Sequence, residues 1–283
     1  MNALSRDEQV AVLHQLVEGS SLRSVTRLTG IHRTTIMKLM LRAGRLLREF
    51  LNAQMLNLEL THLECDEIWT FVRKKQGRLK PEEQDDTEIG DQYLYVALDQ
   101  KTKLVPSFTI GKRNRENTEA FMLDLATRIV TPPILHPTNR PRISTDGWGS
   151  YPGAVDLAFA NTVRHGIVVK SYAENPQPGR YGPPIMTGES RQALSSGLNL
   201  NEICTNHCER HNLSIRTFMR RFTRLALGFS KKLENLAAAT ALYVAHYNYC
   251  RWHGSLKMTP AMAAKLTGHP WTMEELLNEA GVL

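Results

Sequence analysis

The chain has 283 residues, 42% of them apolar, and carries 35 Lys and Arg against 28 Asp and Glu for a formal net charge of +7. That length buries a full core without disulfide staples, and the basic balance favours a polyanionic partner. No stretch approaches the roughly 18 apolar residues of a membrane span, Met1 to Gln9 lacks the build of a signal peptide, and the cysteines Cys65, Cys204, Cys208 and Cys250 form no regular framework, which fits a reducing cytoplasm.

In chain order, Val10, Leu13, Leu16 and Val17 recur at helical intervals behind a capping box of Ser5 and Glu8. Ser21 to Leu28 predicts a second short helix, Thr29-Gly30-Ile31 a turn, and His32 to Leu47 a third helix with Ile36, Leu39, Met40, Ala43 and Leu47 on one side. This is a helix-turn-helix pattern, in which the third helix enters a major groove with Arg33, Thr34, Thr35 and Lys38 at its N-terminal end. Between Ser20 and Arg48 there are seven Lys or Arg and no acid, a bias a plain three-helix bundle does not require. Glu49 to Leu60 reads as a helical connector, and the domain boundary is placed near residue 58.

The period then shortens to that of strands. Leu63 to Val72, Tyr93 to Leu98 and Leu104 to Ile110 predict three antiparallel strands. Lys74 to Gly90 is an exposed loop between the first two, and Asp99 to Thr102 a turn between the others. Asn114 to Val130 is a helix stopped by Pro132-Pro133, and Arg142 to Thr145 a short strand ending in Asp146-Gly147-Trp148-Gly149. A carboxylate at the carboxyl end of such a strand lies where open α/β sheets present ligands. Ser150 to Phe159 reads as a helix, Thr162 to Val169 as a strand, and the Pro- and Gly-rich Tyr172 to Gly197 as a loop.

From Cys204 onward Cys208, His211, Ile215, Phe218, Phe222, Leu225 and Phe229 keep a four-three apolar rhythm, predicting one long helix up to a break at Gly228-Phe229-Ser230. On such a helix Glu209, Arg216 and Arg220 fall within roughly 40° of one another on the polar side. Seven Lys or Arg and no acid lie between Arg210 and Lys232, a run suited to phosphates. A further helix carries Leu233, Leu236, Thr240, Tyr243 and Tyr247 on one face, and Thr272 to Leu283 is a short helical tail.

Displacement at phosphorus gains most from two divalent ions clamping the attacking and leaving oxygens, and Mg²⁺ asks for a few carboxylates from different elements. Asp66, Asp146 and Glu209 come in the order strand, strand, helix, which is that of a ribonuclease H-like fold. Glu67 faces the other side of its strand and is the alternative to Asp66, while Glu202 lies two turns before Glu209 on the same helical face. Cys204, His207, Cys208 and His211 invite a zinc reading, but their spacing puts Cys204, Cys208 and His211 on the core side. His207-Cys208-Glu209 lacks the second half of the zinc deaminase signature.

Four blocks, Cys65-Asp66-Glu67-Ile68-Trp69-Thr70-Phe71-Val72, Gly90 to Asp99, Thr145-Asp146-Gly147-Trp148-Gly149-Ser150-Tyr151, and Glu209-Arg210-His211-Asn212 with Arg216, resemble the catalytic blocks of the insertion-sequence-one family of DDE transposases. Gly228-Phe229-Ser230-Lys231 and the later Tyr247-Asn248, Arg251, His253, Ser255-Leu256 and Thr259-Pro260-Ala261 resemble the C-terminal ends of bacterial transposases and integrases. The resemblance implies Mg²⁺-dependent strand cleavage and transfer, with Mn²⁺ as a substitute, at the terminal repeats of an insertion element. It also implies Asp66, Asp146 and Glu209 as the metal-binding catalytic triad, a dimer or larger assembly on double-stranded DNA, and a bacterial, nucleoid-associated location. Family members often carry a cysteine-rich zinc-binding segment ahead of the DNA-binding helices; this chain begins with the helix-turn-helix pattern, so end recognition by zinc is not expected.

The expected fold is therefore α/β. Residues 1–58 form an all-α helix-turn-helix domain, 59–258 a ribonuclease H-like mixed sheet with flanking helices, and 259–283 a helical tail. The expected DNA contacts are Arg33, Thr34, Thr35, Lys38, Asn212, Arg216 and Arg220. The competing reading is a DNA-binding regulator or an inactive transposase derivative.

Overall fold

A computed structural model describes residues 4–131, 139–175, 184–224 and 226–283; Pro132-Pro133, Leu225 and the middle of the 172–197 segment lie outside the described residues. Three helices come first: α1 (Arg6–Val17), α2 (Leu22–Thr29) and α3 (Arg33–Gln54). The Ser5 and Glu8 capping box starts α1, and Gly30 ends α2 in the left-handed conformation (φ 72°) that costs glycine nothing. The connector expected after Leu47 continues α3, which runs unbroken for 22 residues.

The sheet has six strands: β1 (His62–Val72), β2 (Gly90–Asp99), β3 (Phe108–Gly111), β4 (Arg142–Asp146), β5 (Arg164–Ala173) and β6 (Ile185–Ala193), in the spatial order β3-β2-β1-β4-β5-β6. β1, β2 and β3 form an antiparallel meander, β1, β4 and β5 run parallel, and β6 pairs antiparallel with β5 at the edge. A mixed sheet of this order, flanked by helices, is compatible with a ribonuclease H-like fold. β3 begins four residues later than expected. Pro106 has no N–H for a ladder, and the Asn248 side chain makes both hydrogen bonds to the Val105 backbone (3.0 and 2.9 Å) in place of a strand.

Two expectations fail here for physical reasons. The segment Tyr172 to Gly197 is not simply a loop, because β5 and β6 extend into it as a hairpin. β6 is exposed along most of its length, so it shows no apolar alternation to read. The long basic helix is also shorter: α6 covers Asn206–Phe218 only. Beyond it the chain runs along the end of β1, where Arg221 accepts a hydrogen bond from Thr70 (2.9 Å) and Ser230 accepts one from the Arg73 N–H (2.8 Å). Met219 and Phe222 are buried all the same, so the apolar rhythm served packing without a helix.

The other helices are α4 (Arg115–Arg128), α5 (Tyr151–Phe159), α7 (Leu233–Tyr249), α8 (Pro260–Ala263) and α9 (Met273–Glu279). α7 is not amphipathic in use. From Ala238 to Tyr249 every residue is buried, because α3 packs along one side of it while α1, α8, α9 and His211 of α6 cover other parts. One continuous apolar cluster runs from Val12 through the strands to Val282. Gly44 sets the closest approach, since a Cβ there meets the Ala238 carbonyl oxygen at 2.4 Å.

Gly44→Val is therefore expected to force α3 off α7 and to lower stability by about 1–3 kcal/mol, the usual cost of overpacking. Urea unfolding measures this directly, and an unchanged midpoint contradicts the packing described.

Candidate active site

β1 supplies two carboxylates to one cleft. The alternation of the strand sends Asp66 towards α6, where Asn212 donates its side-chain N–H to Asp66 Oδ2 (2.7 Å). It sends Glu67 to the opposite face, shared with its cross-strand partner Tyr95, which packs on Phe121 of α4. Glu67 was expected to be excluded from the site for this reason, and it is not. β4 ends at Asp146 beside β1, so Asp146 reaches round the strand, and oxygens of Asp66, Glu67 and Asp146 lie within 4.8 Å of one another.

Three acids this close in a half-closed cleft repel one another and lose hydration. Burial first, then the neighbouring Asp146, pushes Asp66 up to about 7 and Glu67 up to about 8. Asp146 is raised as well, chiefly by burial, although the Trp148 N–H (3.0 Å) and the nearby Arg113 pull the other way. Arg113, in the turn before α4, bridges Glu67 (3.3 Å) and Asp146 (3.1 Å) with its guanidinium above the Trp148 ring. No sequence signal marked Arg113. It falls between the expected strand, which ends at Ile110, and the expected helix, which starts at Asn114.

Glu209 approaches from the first turn of α6 and lines the same cleft, of about 620 Å³, with Asp66, Glu67, Asp146, Arg216 and Arg224. Its carboxylate accepts from Thr205 Oγ1 (2.6 Å) and pairs with Lys170, and its charge adds to the upward pressure on Asp66 and Asp146. Burial alone would lower Lys170, but the bond to Glu209 outweighs it and the amine is held above its usual range. Lys170 stands on the part of β5 beyond the expected strand end, which is why sequence reading missed it. Glu202, the alternative to Glu209, belongs to a separate short turn and is paired with Arg142 (2.8 Å).

The expected DNA contacts divide into four groups. Arg33, Thr34, Thr35 and Lys38 are exposed at the start of α3. Arg216 is half-buried in the acidic cleft with its Nε unpartnered, and burial, more than the nearby Arg224, lowers its pKa. Arg220 lies beyond the end of α6 and leaves the face of Glu209. It lines a separate groove with Arg23, Arg33 and Arg221. Asn212 is buried and holds Asp66, so it faces the carboxylates and not the surface.

The carboxylate set fits a hard divalent cation. All the donors are oxygen, and one buried Glu67 oxygen makes no well-formed hydrogen bond, with the Tyr151 hydroxyl near the carboxylate. An acid whose folded pKa is raised weakens the fold as it ionises. The contribution of Asp66 and Glu67 to stability thus falls as pH rises from their ordinary values of 3.8 and 4.5 through about 7 and 8. A cation held by these oxygens displaces the protons and removes the repulsion. Added Mg²⁺ or Mn²⁺ is accordingly expected to raise the melting temperature more at about pH 8 than at about pH 5, and Asp146→Asn to blunt that response. An ion effect independent of pH would place binding elsewhere. Compared with known proteins, the chain matches no family model and no curated sequence.

Proposed function

We propose that this chain is a divalent-metal-dependent DNA strand-cleaving and strand-joining enzyme, a DDE transposase acting at the terminal repeats of an insertion element. The observation that carries the reading is the convergence of Asp66, Asp146 and Glu209, from two neighbouring parallel strands and a helix, on one cleft that also holds Arg216. Mg²⁺ ions bound there would clamp the attacking and leaving oxygens of a displacement at phosphorus.

The protein's own groups have distinct parts in that reaction. Asp66, Asp146 and Glu209 would hold the ions, and Glu67 adds a fourth carboxylate that the sequence pattern alone had set aside. Asn212 fixes the orientation of Asp66. The unpartnered Nε of Arg216 is a donor for a phosphate oxygen beside the scissile bond. Arg113 pairs with Glu67 and Asp146, and Lys170 with Glu209, so ions held there would compete with both cations for these carboxylates.

DNA recognition falls to the α2-turn-α3 unit read as a helix-turn-helix. Supporting it are the exposed N-terminus of α3 and the groove in which Arg33 meets Arg23, Arg220 and Arg221. The stretch from Arg216 to Arg224 borders both that groove and the acidic cleft, which gives a duplex a basic path from one to the other. A dimer or larger assembly would hold two DNA ends together for joining.

Cleavage and strand transfer of a labelled linear DNA carrying the element ends, with Mg²⁺ or Mn²⁺, tests the chemistry. Asp146→Ala and Glu209→Ala are each expected to lose at least about 10²-fold in rate while still binding DNA, the scale on which removing a group that stabilises the transition state is felt. Activity that survives Glu209→Ala removes it from the triad, and wild-type binding without cleavage favours a DNA-binding regulator. Binding measured against salt tests the recognition unit. Arg33→Ala should reduce the slope of log affinity on log salt by about 1 if the side chain meets a phosphate, and leave it unchanged if it does not.

A further inference from the structure

Behind the catalytic cleft lies a second convergence of ligating groups, at the root of α6. Glu64 stands two residues before Asp66 on the same face of β1, its side chain almost wholly buried. Its Oε2 accepts the backbone N–H groups of His207 (2.8 Å) and Cys208 (2.9 Å), so it caps the first turn of α6, which has no side-chain cap of its own. Its Oε1 accepts two more donors, His207 Nδ1 (2.7 Å) and Cys204 Sγ (3.1 Å). The Oε2 contacts explain a helix cap completely. They leave unexplained why a thiol and an imidazole are both turned onto the other oxygen.

The four-residue zinc reading of this region dissolves in the fold. Cys208 is buried with its sulfur on the Val96 carbonyl, and His211 is buried against the Tyr247 ring. Cys204 and His207 remain, and a carboxylate from a strand distant in sequence joins them, giving one oxygen, one nitrogen and one sulfur within 4.8 Å of one another. A thiol is a weak hydrogen-bond donor, and a serine would serve a capping network better. We propose that Glu64, Cys204 and His207 form a zinc-class metal site that ties the first turn of α6 to β1, separate from the cleft that takes Mg²⁺.

Chemistry and geometry both suit such an ion. A mixed O, N, S set selects a borderline-soft cation of the Zn²⁺ class, whereas Mg²⁺ prefers the all-oxygen cluster of Asp66, Glu67 and Asp146. Tetrahedral zinc with bonds of about 2.0 Å to N and O and about 2.3 Å to S has ligand edges of about 3.3–3.5 Å, so the contacts seen at 2.7 and 3.1 Å need open by only about half an ångström. On binding, Cys204 gives up its thiol proton to solvent and forms the S–metal bond, and His207 binds through Nδ1 with a ring proton kept on Nε2, any proton on Nδ1 leaving to Nε2 or to solvent. At least one proton leaves per ion bound. His207 is 37% exposed, so the fourth position faces solvent and takes water. The consequence for the cleft is positional: the ion sits at the base of the helix that carries Glu209 and Asn212. This inference stands without the proposed DNA chemistry.

The test uses the full chain, purified and dialysed against Mg²⁺ buffer, then analysed for zinc and titrated with Co²⁺. A one-to-one ion and a thiolate-to-cobalt charge-transfer band are expected, both kept in Asp146→Asn and both lost in Cys204→Ser and in His207→Ala. Absence of the band in the wild type overturns the proposal, as does its survival in Cys204→Ser. Circular dichroism reports whether each variant folds; should either fail, X-ray absorption at the zinc edge of the wild-type protein decides. A shell containing one sulfur supports the site, and a shell of oxygen and nitrogen alone overturns it.

Discussion

The carboxylate of Glu64 fixes where α6 begins, and the cleft depends on that starting point. A helix N-terminus presents unpaired N–H groups and a partial positive charge, so an anion placed there is stabilised and the helix is registered against whatever carries the anion. Here the carrier is the central strand β1, two residues from Asp66. With the first turn pinned to the strand, helical spacing does the rest. Glu209 falls in the same turn, Asn212 lies one turn later against Asp66, and Arg216 one turn beyond that at the wall of the cleft.

The same pinning raises the electrostatic cost of the site. Asp66, Glu67 and Asp146 are driven together by pairing that has nothing to do with charge, namely the β1–β4 ladder and the burial of the strands around it. Their repulsion shows in two ways: Asp66 and Glu67 hold their protons to a higher pH than usual, and two cations are drawn close. Arg113 arrives from the turn after β3, and Lys170 from the β5–β6 hairpin. Arg113 also stacks over the Trp148 ring, whereas Lys170 is held by the Glu209 carboxylate. Removing either cation would strand carboxylate charge in the cleft, as in other buried ion pairs.

Much of this was legible in the sequence where one physical rule dominates. The capping box at Ser5, the turn at Gly30, the apolar side of α3 and the strand that carries Asp66 are local signals, and the structure places them where periodicity and turn chemistry put them. The misses share a cause. β6 is an exposed edge strand whose pairing is decided by β5 and not by its own pattern. α6 ends at Phe218, and beyond it the Arg221 and Ser230 carbonyls accept from the Thr70 hydroxyl and the Arg73 N–H at the end of β1, in place of a helix that would have carried a run of unbalanced positive charge. Glu67, Arg113 and Lys170 enter the site through strand adjacency, which no spacing along one segment reveals. Glu64 was passed over because its partners Cys204 and His207 lie some 140 residues away in sequence.

On the proposed function, the placement of α7 would link recognition to chemistry. Were the N-terminal helices joined to the sheet by a flexible connector, DNA bound at α3 could explore many positions relative to the acids. α3 instead runs straight from the exposed Arg33 end into the shared core, with Gly44 backbone-to-backbone on α7, and α7 in turn reaches the sheet through Asn248 and Tyr247 at the β2–β3 connection. On the proposed function, a DNA contact at Arg33 would be placed relative to Asp146 through the packing of α3 on α7, so the α3–α7 interface would bear on which phosphate meets the cleft.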